Sequence, residues 1–449
     1  MTPYSKSRKL FFLAFILYSA FVIYGSLVPL NLRLISLGEA LNLFLELRFV
    51  DLGNVSRMDW ATNVVLGIPI SFLGLCWIPV SGHPVQLGGR IVLLLFFCLT
   101  VSITAEFLQI FFSSRVPSIN DIVAQFIGSV VGVILGIFWG NSLRGAIDEF
   151  LATQVLDKKV GFLFSAYVLT IVILNVMPLD LSLSPVEIYR KWDQGYINLI
   201  PFAFKGDTST LIYNTVVDTS KWVPVPLFFI YLRGGKIYTA ILFSLSIACS
   251  IEFAQLFVMS RITDVTDVFT ALAGSTIGGW LAWKIKNHKS DPVPIVKHER
   301  TRLGRVAVIF GIWMCIPLII DWFPFDFTFD KPAIKRHLSE LSWIPFINYQ
   351  ATNFLHAIAT AVRKTIVFAV PGMIFAYAVR NNARQYSRQM NIAIVIIATM
   401  FITGWAGIIE IGQFFLPGDV PDLTDIFLSV FGFLAGFLVL KPVFRSLNN

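Results

Sequence analysis

Twelve apolar runs punctuate the chain, near residues 10–30, 60–79, 91–112, 119–140, 161–178, 212–232, 237–259, 265–283, 306–325, 362–379, 391–416 and 423–440. Most approach the roughly 20 residues that a helix needs to cross a bilayer. Only 14% of the 449 residues are charged while 56% are hydrophobic, too few charges to coat a soluble globule. The sequence therefore predicts an all-α integral membrane protein with about twelve transmembrane helices. The runs at 60–79 and 212–232 carry the weakest signal. Pro69, Pro224 and Pro226 interrupt them, and Asp218 and Lys221 lie inside the second.

Lys6, Arg8 and Lys9 precede the first run and no small-residue cleavage site follows it, which predicts an uncleaved anchor. Lys and Arg gather on the side of the N-terminus, above all in KIKNHKSDPVPIVKHERTRLGR at 284–305. By the positive-inside rule both termini are expected in the cytoplasm, with the chain multi-pass in the cytoplasmic (inner) membrane. The net charge of +8 then reflects topology and contact with membrane lipids rather than nucleic acid. Cys76, Cys98, Cys249 and Cys315 all fall within apolar runs without a CxxC pair and read as packing residues. The five histidines show no ligand spacing, and there is no HExxH or Gly-rich phosphate loop, so no metal and no cofactor is expected.

One stretch recurs. EFLQIFFSSRVPSIND at 106–121 returns as EFAQLFVMSRITDVTD at 252–267 and EIGQFFLPGDVPDLTD at 410–425, keeping Glu-x-x-Gln and a terminal Asp in register. Downstream, Gly128 and Gly132, Gly274 and Gly278, and Gly432 and Gly436 follow each Asp at the same offsets. Upstream, the first run of each set ends in VPLNL, MPLDL or FPFDF, and the last two sets share LIPF and WIPF. The chain reads as three units, near 1–150, 155–290 and 300–449, each with four spans. An even number of spans gives every unit the same orientation, so the repeats are parallel and their motifs are expected on one side, outside the cytoplasm.

The Glu-x-x-Gln helix end, the short turn, the Asp opening the next helix and the small residues after it resemble the VanZ-like membrane proteins, of the type of an accessory protein of teicoplanin resistance. The resemblance covers the whole chain as three tandem copies. A typical second span carries Asp, Lys, then His or Asn and a Pro-containing apolar run. DWATNVVLGIPISFLG at 59–74 fits with Asp59, Asn63 and Pro69; the second copy keeps Asp218 and Lys221, and the third Lys364 and Pro371. The resemblance implies an envelope-related role and carries no established reaction.

Glu106 and Glu252 lie sixteen residues beyond Arg90 and Lys236, about 24 Å of helical rise, which leaves each carboxylate just beneath the outer boundary of the apolar core. Such a group is costly there and faces protein or water. The Gln one turn on shares its helix face, and together they make a polar notch. Arg115 and Arg261 follow their Glu by nine residues and are candidates for an ion pair across the turn; the third copy has Asp419 there, which leaves Lys364 or Arg363 to serve Glu410. Asp121, Asp267 and Asp425 stand three residues after Ser118, Asp264 and Asp422, close to a capping box, and read mainly as helix-start residues. The Glu residues read as functional, because capping does not account for a charge placed before a helix ends.

The candidate ligand-binding set is accordingly Glu106, Gln109, Arg115 and Asp121; Glu252, Gln255, Arg261 and Asp267; and Glu410, Gln413, Asp425 and Lys364. No catalytic residue is assigned. Three functions compete: binding or transport of an amphiphilic or lipid-linked envelope molecule, acid–base catalysis on a lipid-linked substrate by a buried Glu, and a scaffold whose polar turns only hold helices together.

Overall fold

The computed structural model describes residues 6–49, 54–78, 84–153, 155–177, 179–203, 208–288, 299–340, 344–347, 354–379, 387–417 and 421–446. Helix runs through every apolar stretch. The order is α1 (Lys6–Leu27), a short α2 (Leu37–Leu45), α3 (Asn54–Trp77), α4 (Pro84–Gln109) and α5 (Ile119–Ala152). It returns as α6 (Leu156–Val176), a short α7 (Pro185–Asp193), α8 (Thr208–Trp222) continued by α9 (Pro224–Arg233), α10 (Ile237–Gln255) and α11 (Val265–His288). It returns again as α12 (Glu299–Trp322), a short α13 (Lys331–Glu340), α14 (Phe354–Val379), α15 (Arg388–Gln413) and α16 (Leu423–Ser446). One two-residue parallel pairing, β1 (Ile197–Asn198) with β2 (Thr263–Asp264), interrupts an otherwise all-α fold.

Among the described residues, 8 helices are long and apolar enough to cross a membrane: α1, α3, α4, α5, α6, α10, α14 and α15. The protein is therefore a multi-pass membrane protein. The shortfall from the expected twelve has local causes. Pro224 and Pro226 divide the sixth run into α8 and α9, α11 ends in the basic KIKNH, and α12 and α16 hold shorter apolar segments, Val306–Trp322 and Leu423–Val439.

The distribution of side chains suits lipid. Leu93, Phe96, Ile134 and Phe138 point outward, while Ser19, Ser71, Ser102 and Ser129 are buried. Small residues let helices approach closely where no hydrophobic effect drives them together. Within their helices Ser19 returns its hydroxyl to Phe15 O at 2.8 Å and Ser102 to Cys98 O at 3.2 Å, one turn back.

The chain divides into two compact units. The first comprises Met1–Thr153, Asp157–Ala203 and Ile241–Ala273. Its core gathers Phe15, Val22, Ile70, Leu75, Leu94, Cys98, Val101 and Val133 from α1, α3, α4 and α5. At the end of this bundle opposite the Glu-x-x-Gln motif, Arg8 donates to Trp77 O at 2.7 Å and Arg144 to Ile78 O at 3.2 Å. Two cations thus satisfy the last carbonyls of α3, where the helix dipole is negative. The second unit comprises Gln154–Leu156, Phe204–Ala240 and Gly274–Asn449, with a core of Met314, Phe368, Ile402, Ile409 and Phe433.

The motif glycines fix one helix pairing in three places. Gly128 and Gly132 of α5 lie against the carbonyls of Val64 and Ile68 in α3. Gly274 and Gly278 of α11 meet those of Thr219 and Val223, and Gly432 and Gly436 of α16 meet those of Thr365 and Ala369. A Cβ at any of these positions would overlap a main-chain oxygen, so only glycine permits the approach. This register makes Asn63, Asp218 and Lys364, each one residue before the first opposed carbonyl, structurally equivalent.

Candidate functional site

Each Glu-x-x-Gln pair closes a helix. Glu106, Glu252 and Glu410 occupy the last turns of α4, α10 and α15, and Gln109, Gln255 and Gln413 are the final helical residues. A carboxylate at a C-terminus opposes the helix dipole. The helix that follows supplies the compensation. Glu106 Oε2 accepts the backbone N–H of Ser118 at 2.9 Å, Glu252 Oε2 that of Asp264 at 2.9 Å, and Glu410 Oε2 that of Asp422 at 2.8 Å. Each donor residue in turn accepts an amide from the next helix. Ser118 Oγ takes Asn120 N–H at 3.1 Å, Asp264 Oδ1 takes Thr266 N–H at 2.7 Å, and Asp422 Oδ1 takes Thr424 N–H at 2.7 Å.

The Glu therefore does belong to the capping of the next helix, contrary to the sequence expectation. It holds the main chain of the cap residue, while the cap side chain holds the first turn. In the third copy the cap extends to the Thr424 hydroxyl, 2.6 Å from Asp422 Oδ1.

The basic residues nine positions after Glu serve another helix end. Arg261 donates from Nε to Met177 O at 2.6 Å and from Nη2 to Leu174 O at 2.7 Å, capping α6. Arg115 Nη2 reaches Gly25 O in α1 at 3.4 Å. Burial lowers the pKa of both guanidinium groups; the Glu106 charge pulls Arg115 back up, and Asp180 does the same for Arg261. The expected pairing partner of Arg261 is thus replaced by helix carbonyls and Asp180. Asp419, the residue expected to set the third copy apart, lies outside the described residues, as does Gly418.

Two residues absent from the candidate set also seal these ends. Lys191 of α7 is buried and donates to Gln255 O and, at 2.8 Å, to Val258 O. Burial lowers its pKa, and Asp180 and Glu252 raise it. In α13, His337 Nδ1 lies 3.0 Å from Phe414 O. The only sequence signal for either was a polar residue on a short amphipathic helix beside each motif.

Beyond this shared frame the copies diverge. In the first, Glu106 Oε1 accepts Gln109 Nε2 at 3.0 Å, and Gln125 Nε2 bonds Asn63 Oδ1 at 3.0 Å. Asp121 also faces Asn63, with Asp59 near it. In the second, Gln255 turns to Asn175 O at 2.9 Å, and Lys221 pairs with Asp218 within α8 at 2.7 Å. Asp267 sits in the first turn of α11.

The third copy gathers charge. Lys364 Nζ contacts Asp425, lies 3.6 Å from Glu410 Oε1 and 3.7 Å from Asp321 Oδ2, and all four side chains are largely buried. Arg363, 40% exposed, approaches Asp321 at 3.8 Å. Asp321, in the last turn of α12, was missed; it is a carboxylate within CIPLIIDWF, the same signal that singled out Glu106. Burial raises the Asp422 pKa, its bonds to Thr424 lower it, and Asp425 and Lys364 act on it in opposite senses. In the third copy Glu410 and Asp425 thus meet around Lys364, with Gln413 outside that set of ion pairs, and the candidates of the first two copies are absorbed mainly in helix-end hydrogen bonds.

No curated protein and no solved structure matches the chain. The VanZ/LLP1 family model matches it twice, over residues 164–287 and 307–445, each match ending beyond a Glu-x-x-Gln turn and its glycine helix; residues 1–150, which carry the same motif, lie outside both. Since the two matches cover more than half of its length, the chain belongs to the VanZ/LLP1 family.

Proposed function

We propose that the protein binds, and moves, an amphiphilic envelope molecule or glycopeptide-like ligand from the outer face of the cytoplasmic membrane, and that the third copy carries the site. In this reading the chain forms three parallel four-span repeats with the Glu-x-x-Gln ends outside the cytoplasm. The observation that supports it is the cluster of Lys364, Asp321, Glu410 and Asp425. A helix pair needs no such cluster to hold together, since the first copy achieves the same pairing with Asn63 and Gln125. Buried ion pairs are a weak source of stability against apolar residues of the same size, so their presence points to use. Exposed Phe325 and Phe329 from the segment after α12, with Phe401 and Ile411 from α15, offer apolar surface for the lipid part of such a molecule.

In the first two copies the glutamates support the scaffold reading, because each is engaged by the cap of the next helix. The two roles separate in a deletion strain complemented at matched protein level and read by envelope lipid and metabolite profiling. Lys364→Met should leave the deletion profile uncorrected, while Glu106→Gln should restore it once its protein level is matched. Full correction by Lys364→Met would refute the assignment.

A further inference from the structure

The charges around Lys364 do not balance. α12 contributes Asp321, α14 Arg363 and Lys364, α15 Glu410, and α16 with the turn before it Asp425 and Asp422. Four carboxyl groups therefore share two cations, one of which, Arg363, is 40% exposed and open to screening. Among the described residues, the other ionisable groups nearby do not correct the excess: His337 is turned to Phe414 O, and the Tyr213 hydroxyl donates to Ile320 O at 3.1 Å. Asp422 is 4% exposed, and among the described residues its Oδ2 has no hydrogen-bond partner, while its Oδ1 is occupied by Thr424. Buried Gln413, one turn after Glu410, likewise has an Oε1 without a hydrogen-bond partner.

We propose that this cluster is a proton-binding site, in which one proton shared among Asp321, Glu410, Asp422 and Asp425 halves the surplus negative charge and is exchanged as the protein works. A protonated carboxyl is also a hydrogen-bond donor, one more beside Lys364 in a site made mostly of acceptors. Like charges confined in a poorly solvated site cannot all remain ionised. Larger cations fit less well. Among the described residues no group of His, Cys, Asp and Glu side chains is arranged to hold a metal ion, and Lys364 already occupies the centre of the carboxylates. The first copy also holds several carboxyl groups, with Asp121 near both Glu106 and Asp59, but neutral Asn63, bonded to neutral Gln125, stands where the third copy has its lysine. What the third copy adds is a buried lysine that draws its carboxyl groups around one centre.

The test uses the purified full-length protein in lipid nanodiscs without any added amphiphile, so its outcome is independent of whether the envelope ligand has been assigned correctly. Infrared spectra across a pH series report protonated carboxyl groups directly through their C=O stretch. The wild type should retain such a band at neutral pH and lose it in alkali. Asp422→Asn and Glu410→Gln should each reduce the neutral-pH band by one carboxyl group, whereas Glu149→Gln, at an exposed pair with Lys158, should leave it unchanged. Lys364→Gln should extend the band to higher pH. If Glu410→Gln or Lys364→Gln fails to fold, Asp422→Asn still decides, since Asn keeps the cap. Absence of the band from the wild type at neutral pH, or a band indifferent to Asp422→Asn, overturns the proposal.

Discussion

A carboxylate in the last turn of a helix is poorly placed for that helix and well placed for the next one. Glu106, 1% exposed, resolves the conflict by accepting the Ser118 amide, a hydrogen bond to a charged group. Glu106→Leu removes the acceptor and strands a main-chain donor, so a loss of about 1.5–3 kcal/mol is expected. Glu106→Gln keeps an oxygen for Ser118 and should cost less, roughly 1 kcal/mol. Equilibrium unfolding in detergent checks both, and a Glu106→Gln variant as stable as the wild type would show that the charge contributes nothing. At Asp422 the sign is reversed. Its pKa is raised in the fold, so the folded state holds its proton more tightly than the unfolded chain, and the group adds stability as pH falls. Asp422→Asn should therefore flatten the pH dependence of unfolding and stabilise the protein most at neutral and alkaline pH, with Asn still able to cap. The position of these residues was legible from their spacing, repeated three times. Their partners were not, because a backbone N–H twelve residues away has no side-chain identity to read, and Asp321 converges on Lys364 only through the packing of α12 against α14.

At the scale of elements, the strongest constraint is a missing methylene. Gly128→Ala, Gly274→Ala and Gly432→Ala each place a Cβ into a facing carbonyl and should destabilise by about 2–4 kcal/mol, in the range of backbone-shifting overpacking and beyond. Gly145→Ala and Gly404→Ala meet no atom within 4 Å and should stabilise by up to about 1 kcal/mol through helix propensity. Thermal unfolding of the five variants distinguishes a packing role from a general intolerance of alanine. The helices themselves were legible because apolar runs of this length have few alternatives. The second spans were the hard part. Asp218 looked like the counterpart of Asp59, yet the glycine register aligns Asp218 with Asn63 and Lys364. Sequence order alone does not fix that alignment, since the loops before these helices differ in length; a facing carbonyl does.

For the whole molecule, three parallel four-span repeats require twelve crossings of the bilayer. Eight helices qualify on their own length and apolarity. The four further crossings needed for parallel repeats would come from α8 with α9, α11, α12 and α16, which are broken, basic-ended or short. If all four cross, single cysteines at Ser114, Ser260 and Gly418 in a chain free of native cysteine will all react with an impermeant thiol reagent in intact cells. Labelling of Ser114→Cys without Ser260→Cys would place an odd number of crossings between the first two motifs. Basic residues set the expected orientation, and the carbonyl-capping Arg8 and Arg144 at the cytoplasmic end of the first bundle would then serve topology and helix termini together.

The helix pairing rests on glycine and main-chain oxygen, so it makes no demand on the side chain next door. A tandem duplication of such a unit leaves each descendant with its shape intact while one position drifts freely, here through Asn63, Asp218 and Lys364. Inheritance of the frame and divergence of the chemistry are thereby uncoupled: the copies can specialise, or fall silent, without any of them having to learn to fold again.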